Sequence, residues 1–412
     1  MIHLRPFRGL RPDKKYVTEV PVPPFSNLSN RAAMELLSSN PRSFLHVISP
    51  KIGLKDDSRD GDAESFKIGL INLKRMASQG VLVRDSMPCF YVYRFIMGDH
   101  VQTGLLGCIS CDDYESGIIK KHEKTLQHRE KGHVNRMLGL GFHPTPVFLF
   151  FHAQNRFKEL LKNICVNVPE FDFNTQEGVI HQLWIVKDSG KIEEFKKVFS
   201  HLSCLYIADG HHRCSAEAAA ARELKERDTG PGGIKEYNFF PGIIFPHDEI
   251  KIMEYNRVVR DLGGLSAHEF LEKVSINFDI EKSSQRYPEK PHTFCIYMSG
   301  QWRQAHVKKN TYNEENPLSG LDVSILQKNL LSPVLGIEDQ TSDSRIDFVG
   351  GILGPAELER LVDSGEFAAA FALYPPSVES LMKVADINET MPPKSTWFEP
   401  KFRSGVVTHF LE

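Results

Sequence analysis

The chain has 412 residues, of which 41% are hydrophobic and 25% are charged, and its formal net charge is −3. These values are ordinary for a globular protein, and the length predicts two domains. The charge balance gives no general attraction to nucleic acid or to anionic membranes, and no apolar run reaches transmembrane length. Scattered cysteines and an N-terminus without an apolar signal segment predict a cytoplasmic protein in a reducing compartment.

The N-terminal region, residues 1–140, is predicted to contain both helices and strands. In chain order its predicted elements are a helix over 31–37 capped by Ser29 or Asn30, a buried strand over 44–48, a helix over 63–79 closed by Gly80, a hairpin over 89–109, and a helix over the charged stretch 112–136. The hairpin is the clearest of these signals, because two strand-like apolar runs flank Gly98-Asp99-His100.

The second region, residues 141–412, alternates strand-like and helix-like segments. Its predicted elements are strands over 144–152 and 179–186, a helix over 191–199, paired strands over 239–245 and 250–259, a helix capped by Ser266, a strand over 294–298, helices over 321–335 and 355–364, a strand over 367–374 and a short helix over 376–385. Together the two regions predict an α+β fold with mixed, largely antiparallel sheets and flanking helices.

One segment carries more polar chemistry than a simple connection needs. The apolar run 205–208 passes through Asp209 and Gly210 into an alanine-rich helix, and His211, His212 and Arg213 stand at the junction. Glycine lets the backbone approach a ligand closely, and a helix start offers unpaired amides and a positive dipole end. The segment therefore predicts a phosphate site, in which Asp209 orients a histidine or holds Mg²⁺ and a histidine moves a proton or stabilises charge.

Two further segments are candidates for the same chemistry. In the segment 121–129, His122, Glu123 and Arg129 either belong to a solvated helix with i,i+4 charge pairs or point into a cleft, with Glu123 as a general base. The proline-stiffened segment 392–401 offers donors for anionic oxygens, or else forms a rigid surface loop. The donors of this second segment are Lys394, Ser395, Thr396 and Lys401.

Several other kinds of site are excluded by spacing. His122 and His128 are six residues apart, which places them on different helix faces and excludes the zinc-protease pattern. The chain has neither a P-loop motif nor a G-x-S-x-G elbow, and residues 350–355 lack the dinucleotide spacing and are predicted to form a strand–helix turn. Cys108 and Cys111 form a lone C-x-x-C pair, which is more typical of a hairpin segment than of a metal site.

Taken together and in order, several segments resemble one family over essentially the whole chain, the family called domain of unknown function 1015. The matching segments are residues 5–12, 40–46, His122-Glu123 with Thr125, 208–213, 255–259 and 391–401. One departure is that members of the family typically carry Pro-Tyr-Asp where this chain has Pro24-Phe25-Ser26. If the aspartate of that motif has a chemical role in the family, Ser26 cannot supply it here.

The segment Asp209-Gly-His-His-Arg213 also resembles the signature of the ParB/sulfiredoxin superfamily, which includes kinases that phosphorylate free serine with a nucleotide. This resemblance implies a ParB/sulfiredoxin-like element around the segment, phosphate bound by its loop and helix start, and ATP or ADP as a cofactor. The leading hypothesis is therefore a small-molecule phosphotransferase acting on serine or phosphoserine. The alternatives are a phosphatase for a similar phosphomonoester, and a non-catalytic nucleotide- or nucleic-acid-binding regulator, which the acidic balance disfavours.

Overall fold

The computed structural model describes residues 1–24, 28–52, 62–125, 127–230 and 233–412, with the backbone alone at residues 128 and 129. Ser26 lies outside these ranges. The chain divides into two compact units. Unit 1 consists of Met1–Lys120, Lys124–Ile250 and Pro400–Glu412, and unit 2 consists of Lys121–Glu123 and Lys251–Glu399. The domain boundary predicted at residue 140 falls inside unit 1.

Unit 1 is organised around a large mixed sheet with the strand order β6-β11-β8-β12-β5-β4-β10-β9, and β1 pairs with β5 beside this path. Adjacent strands are antiparallel except at the β6–β11 and β8–β12 pairs. The strands of unit 1 are β1 (Leu4–Arg5), β2 (Leu10–Pro12), β3 (Leu82–Arg84), β4 (Phe90–Met97), β5 (His100–Ser110), β6 (Ile119–Lys120), β7 (Phe142–His143), β8 (Val147–Phe151), β9 (Phe171–Asn174), β10 (Val179–Val186), β11 (Leu205–Asp209), β12 (Phe239–Pro246) and, near the C-terminus, β21 (His409–Phe410).

Helices cover this sheet because their apolar side chains share one core with it. Phe157 and Leu161 of α6, Phe195 of α7 and Ala218 of α8 pack with sheet residues such as Leu149. A second core lies among α1, α2 and α3. The helices of unit 1 are α1 (Asn30–Ser39), α2 (Leu45–Ile48), α3 (Ala63–Ser78), α4 (Cys111–Glu115), α5 (Gln127–Leu140), α6 (Asn155–Cys165), α7 (Ser189–Ser200) and α8 (His211–Arg227).

Unit 2 has its own antiparallel sheet with the order β15-β17-β16-β19-β14-β18, and a separate pair, β13–β20. Its strands are β13 (Lys251–Met253), β14 (Tyr255–Val259), β15 (Phe278–Lys282), β16 (Thr293–Met298), β17 (Gln301–Val307), β18 (Ile346–Gly350), β19 (Ala369–Ala372) and β20 (Trp397–Glu399). Its helices are α9 (Ala267–Val274), α10 (Asp322–Leu326), α11 (Ser332–Leu335), α12 (Gly354–Asp363) and α13 (Val378–Asp386), with a π-helical turn at Gln327–Leu331. In the ranges described, no helix is both long and apolar enough to cross a bilayer.

The fold class and most predicted elements are confirmed. The sheets are largely antiparallel, the hairpin is β4–β5, and the Ser29 side chain accepts a hydrogen bond from the Ala32 amide at the start of α1. Ser266 forms a capping box with Glu269 at α9, and residues 350–355 turn from β18 into α12 as predicted. These elements were predictable because their signals are local: a cap, a turn or an unbroken apolar pattern.

Three predictions in the fold are wrong. Residues 45–48 form a short helix rather than a strand, because a short run buried on all sides has no period that separates the two. The stretch 112–136 is not one helix: α4 ends where Gly117 takes a φ of +77°, and β6 then pairs with β11 before α5 begins. Finally, β12 pairs with β5 and β8, so 239–245 and 250–259 are not paired strands.

Asp322 of unit 2 is a buried acid whose titration should be visible in the stability of the protein. Its side chain is 8% exposed, and one carboxylate oxygen accepts a hydrogen bond of 2.9 Å from the His292 amide. Burial raises the pKa of Asp322 from 3.8 to about 7, although the amides of His292 and Tyr374 act in the opposite direction. Between these two values the folded protein keeps a proton that the unfolded chain has released, so stability falls as the pH rises.

We therefore expect Asp322→Asn to flatten the decline in unfolding free energy between about pH 4 and pH 7, because the variant has no carboxyl to titrate. The variant should gain stability relative to the wild type as the pH rises through this window. Urea denaturation at pH 5 and pH 8 measures the effect, and Asp347→Asn, at an exposed position of the same unit, is the control. An equal loss of stability with pH in wild type and Asp322→Asn would contradict the expectation.

Candidate functional site

The candidate site of unit 1 is the junction between β11 and α8. Leu205–Asp209 is an almost wholly buried strand, held between β6 and β8, and its last residue pairs irregularly with Phe148. The helix His211–Arg227 begins only one residue later. Its alanines at 216, 218, 220 and 221 are buried, which lets α8 lie close against its neighbours. The strand and the helix therefore hold the short polar segment 209–213 in a fixed place.

Gly210 is required at this junction for two reasons. It is the N-cap of α8 with a φ of +106°, a conformation that residues with a side chain rarely adopt. A Cβ atom at position 210 would also lie 2.9 Å from Arg213 Nη2 and 3.0 Å from Arg213 Nε. The guanidinium thus lies against Gly210, beside the start of α8. Such a helix start presents amides and a positive dipole end to an anion.

Arg213 is anchored at two points, which orients its planar group. Its Nη1 donates a hydrogen bond of 2.6 Å to the carbonyl oxygen of Pro146, and its Nη2 lies 3.4 Å from the Asp209 carboxylate. The side chain retains 23% of its exposure, so part of the guanidinium is still accessible to solvent. An arginine fixed at one edge and open at the other is well suited to bind a phosphate or carboxylate through its remaining donors.

The charges around Asp209 make the junction electropositive. Burial acts to raise the pKa of Asp209, but Arg213, Lys401 and His211 together lower the pKa below its ordinary value of 3.8. The carboxylate is 48% exposed, so these interactions are screened by water. The positive charges of Arg213 and Lys401 thus both act on this single carboxylate. Lys401 comes from the C-terminal segment of unit 1, so this electrostatic interaction links two of the three predicted segments.

The two histidines of the junction differ in environment. His211 is 3% exposed, whereas His212 is half-buried. His212 is thus the more accessible of the two to a ligand. Arg129 lies on α5, which packs against α8 through a hydrogen bond from the Ser215 hydroxyl to Glu130, but its side chain lies outside the described part of the structure.

The other predicted residues, His122, Glu123 and Lys394 to Thr396, belong to unit 2. His122 is 2% exposed, its carbonyl accepts a hydrogen bond of 2.8 Å from the Met391 amide, and its ring lies 6.4 Å from that of Phe398. Glu123 is half-buried in a segment that is not helical. The predicted solvated helix is therefore not formed at this position. The structure brings this segment together with residues 391–398.

The segment 392–396 forms a tight loop before β20. Lys394 is exposed at its tip with a φ of +55°, and its ammonium group lies 5.5 Å from the centre of the Tyr255 ring. Ser395 is buried and donates a hydrogen bond of 2.6 Å to the Pro392 carbonyl, so its hydroxyl stiffens the loop. Thr396 is half-buried. The predicted loop 392–401 is thus divided, with Lys394 in unit 2 and Lys401 in unit 1.

The described side chains include no group of three or more His, Cys, Asp or Glu that could hold a metal ion. Asp209 is a single carboxylate, and it already faces Arg213. Mg²⁺ is commonly bound in proteins by one or two carboxylates, with phosphate oxygens and water completing its shell. Asp209 therefore fits the role of one protein ligand to Mg²⁺ only when phosphate oxygens are present to supply others.

Sequence reasoning missed two contributors. The carbonyl of Pro146 fixes Arg213 from a strand start more than sixty residues earlier, and no sequence signal marks a backbone carbonyl. Arg257, which is fully buried beneath the loop 392–396, did leave a signal: it is a charged residue inside the otherwise strand-forming run Tyr255–Val259. A charge at a buried strand position indicates a specific partner, because burying an unpaired charge is costly.

The fold and the site define a class of protein: a two-unit α+β protein with an electropositive strand–helix junction. The chain belongs to the family described as Protein of unknown function (DUF1015), whose model matches residues 4–324. No curated protein matches the chain at a significant level.

Several solved structures are similar to parts of the chain. One is a free serine kinase variant in complex with AMP, with a TM-score of 0.37 and 14% identity, covering 71% of this chain and 87% of that chain. Another is a conserved hypothetical protein from Pyrococcus furiosus, with a TM-score of 0.35, 15% identity and coverage of 72% and 90%. A third is SbnI with a C-terminal truncation from Staphylococcus aureus, with a TM-score of 0.36, 11% identity and coverage of 72% and 84%. At this distance, function has to be read from the residues of this chain.

Proposed function

We propose that the protein is a small-molecule phosphotransferase that moves a phosphoryl group between a nucleotide, ATP or ADP, and a small hydroxy metabolite. Free serine or phosphoserine is the first candidate, because the segment Asp209–Arg213 resembles the signature of a superfamily that includes free-serine kinases. The observation that carries the proposal is the junction itself: Arg213 lies against Gly210 at the start of α8, and Lys401 acts electrostatically on the Asp209 carboxylate that Arg213 faces.

Phosphoryl transfer suits this arrangement because its catalysis consists mostly of positioning and charge stabilisation. Arg213 and Lys401 would bind the phosphate oxygens, and the amides at the start of α8 would add donors. As the hydroxyl oxygen forms its bond to phosphorus, the bond to the leaving nucleotide breaks and the hydroxyl proton passes to a base. Glu123 is the proposed base, and His212 is the accessible imidazole at the junction.

Asp209 has two proposed roles that differ in their test. It would either orient Arg213 and a histidine, or hold Mg²⁺, which when bound would neutralise charge on the phosphates. Lys394, Ser395, Thr396, His122 and Arg129 are proposed as further phosphate or substrate contacts. Each of these roles predicts a rise in KM on substitution, and a dependence on added Mg²⁺ that is lost in Asp209→Asn would support the metal role.

The direct test is ³¹P NMR of the protein with serine and ATP, with serine and ADP, and with phosphoserine alone, each with and without Mg²⁺. We expect a new phosphomonoester resonance that grows as a terminal phosphate resonance of the nucleotide declines. Unchanged spectra in all mixtures would refute the assignment to serine. Inorganic phosphate released from phosphoserine without nucleotide would instead identify a phosphatase, and salt-sensitive retention on DNA without any turnover would identify a binding regulator.

A further inference from the structure

Arg257 of unit 2 is an unusual residue: an arginine on β14, an interior strand of its sheet, with none of its surface exposed. In the part of the chain that the structure describes, no carboxylate pairs with it. Burial lowers the pKa of Arg257 from 12.5 to about 9, so the group is still charged at neutral pH. A buried charge without a counter-ion is costly, and a hydrophobic residue of similar size would fill the same space. Its presence calls for a specific role.

The guanidinium donates to three neutral oxygens that come from three different segments. Its Nε donates to Gln340 Oε1 at 3.1 Å, its Nη2 donates to the Pro393 carbonyl at 3.2 Å, and its Nη1 donates to the carbonyl of Tyr255 in its own strand. The charged carbon lies 5.1 Å from the centre of the Phe348 ring. Arg257 therefore joins the loop 392–396 to the sheet and to the segment around Gln340.

Beyond Arg257, the hydrogen-bond network continues away from the loop and into the rest of unit 2. Gln340 donates to Gln327 Oε1 at 2.7 Å, and Gln327 donates to the carbonyl of Ile337 at 2.7 Å. Gln327 begins the π-helical turn between α10 and α11. The Pro393 carbonyl is thus linked through Arg257 to the side-chain amides of Gln340, which is buried, and Gln327, which is half-buried, so the position of the loop depends on that of the sheet and of this turn.

The loop needs such an anchor because its own conformation is unfavourable. Lys394 has a φ of +55°, in the left-handed region that residues other than glycine seldom occupy. Such a conformation persists only when surrounding contacts fix it. Its neighbours supply some of these contacts: Trp397 packs edge-on against Tyr255 at 5.1 Å, and a Cβ atom at Gly350 would lie 2.8 Å from the Trp397 ring. The Arg257 bond fixes the loop from below.

We propose that Arg257 is a positioning residue, which holds the loop 392–396 in the shape that presents the Lys394 ammonium to an anionic group of the substrate. This inference rests on the proposed function only for the identity of that anion. The mechanical part, that Arg257 orders the loop, stands on the hydrogen bonds of unit 2 alone. Arg257 acts through Lys394 and does not itself touch the substrate.

The test combines a structural and a kinetic measurement on the full chain. Hydrogen exchange of the amides at 394–396 is expected to be about tenfold faster in Arg257→Met, which fills the space but donates no hydrogen bond. Arg257→Lys is expected to behave in the same way, since an ammonium cannot bridge Gln340 and Pro393 as a planar fork does. The control is Arg260→Met, just beyond the same strand, where the arginine also contacts a carbonyl and an aromatic ring but lies at the surface.

The kinetic arm is a double-mutant cycle on the phosphoryl-transfer reaction. If Arg257 acts through Lys394, both Arg257→Met and Lys394→Met raise KM by about tenfold with little change in kcat, and the double variant is no worse than Lys394→Met alone. Additive effects on KM would contradict the positioning role. A wild-type protein without phosphoryl transfer would refute the proposed function, while the exchange measurement would still decide whether Arg257 orders the loop.

Unchanged exchange at 394–396 in a folded Arg257→Met protein would overturn the inference. If that variant fails to fold, Gln340→Met provides the second route, because it removes the acceptor of Arg257 Nε and leaves the arginine in place. It is expected to accelerate exchange of the same loop to a smaller degree. No acceleration in Gln340→Met, when Arg257→Met is unfolded, would likewise count against the proposal.

Discussion

Arg213→Ala is expected to lower turnover in phosphoryl transfer by about 10²–10³-fold, the usual cost of removing one preorganised donor from a site where charge develops. The substitution removes the guanidinium next to Gly210, while Lys401 still acts electrostatically on Asp209. The Pro146 carbonyl loses its partner, which should reduce the free energy of unfolding by about 1–3 kcal/mol. Turnover should therefore fall much further than the loss of stability explains. Initial rates and urea denaturation on the same preparation measure both quantities.

Two further variants separate charge from general damage to α8. Arg222→Ala removes an exposed arginine from the same helix, where it pairs with Glu115, and it should leave turnover within about twofold of the wild type. Arg213→Lys keeps the charge but cannot contact both Pro146 and Asp209 through a planar fork, so intermediate turnover is expected. A folded Arg213→Ala protein with wild-type turnover would remove Arg213 from the site and with it the main support for the proposed function.

Gly210→Ala is expected to reduce turnover by about 100-fold, since a displacement of about 1 Å in a binding group can have this effect. The added methyl group would lie 2.9–3.1 Å from the nearest atoms of the Arg213 guanidinium. The guanidinium would therefore have to move away from the Pro146 carbonyl. The left-handed backbone adds a stability loss of about 1–2 kcal/mol. Kinetic measurement with a nucleotide titration should show a higher KM as well as a lower kcat.

The matched control for this substitution is Gly80→Ala. Gly80 also has a positive φ, +69°, but among the described residues, its chain neighbours aside, nothing lies within 4 Å of the Cβ that the alanine would add. Its variant should lose a similar amount of stability from the backbone alone, while turnover stays unchanged. If the two variants lose equal stability and equal activity, the contact between position 210 and Arg213 has no effect on function. The interpretation that Gly210 is needed to leave room for the Arg213 guanidinium would then be wrong.

Local signals in the sequence were sufficient for much of the fold. The capping residues Ser29 and Ser266, the closing Gly80 and the β4–β5 hairpin all act within a few residues of where they stand, and each is found as predicted. The apolar segment 45–48 was misassigned because four residues buried on every side show neither a strand nor a helix period. The pairing of β12 was also wrong, because its partners β5 and β8 are set by contacts far apart in sequence.

In the candidate site, too, residues close together in the sequence could be grouped, whereas residues far apart in the sequence could not. Asp209, Gly210 and Arg213 could be grouped from the sequence, because a strand, a glycine and a helix in succession define one turn. Residues distant in the chain were harder to place. The electrostatic interaction of Lys401 with Asp209, and the assignment of Lys394 to unit 2, both depend on how the C-terminal segment returns to unit 1. No spacing rule predicts such a return.

The sequence shows a charged residue, Arg257, within a predicted strand, but it does not show what this residue contacts. The run Tyr255–Val259 lies in a predicted strand and in a segment that resembles the family, but the role of its arginine depends on its contacts with Pro393 and Gln340. Those partners lie 136 and 83 residues away. Hydrogen-bond partners of this kind are set by tertiary packing, which explains why an isolated buried charge signals a role without naming it.

A crystal structure of the protein with ADP would show whether the start of α8 binds a phosphate. We expect phosphate oxygens at hydrogen-bond distance, about 2.7–3.2 Å, from the Arg213 guanidinium and from an amide in the first turn of α8, with Lys401 close by. Nucleotide phosphates bound elsewhere, with Arg213 contacting only Pro146 and Asp209 at full occupancy of the ligand, would contradict it.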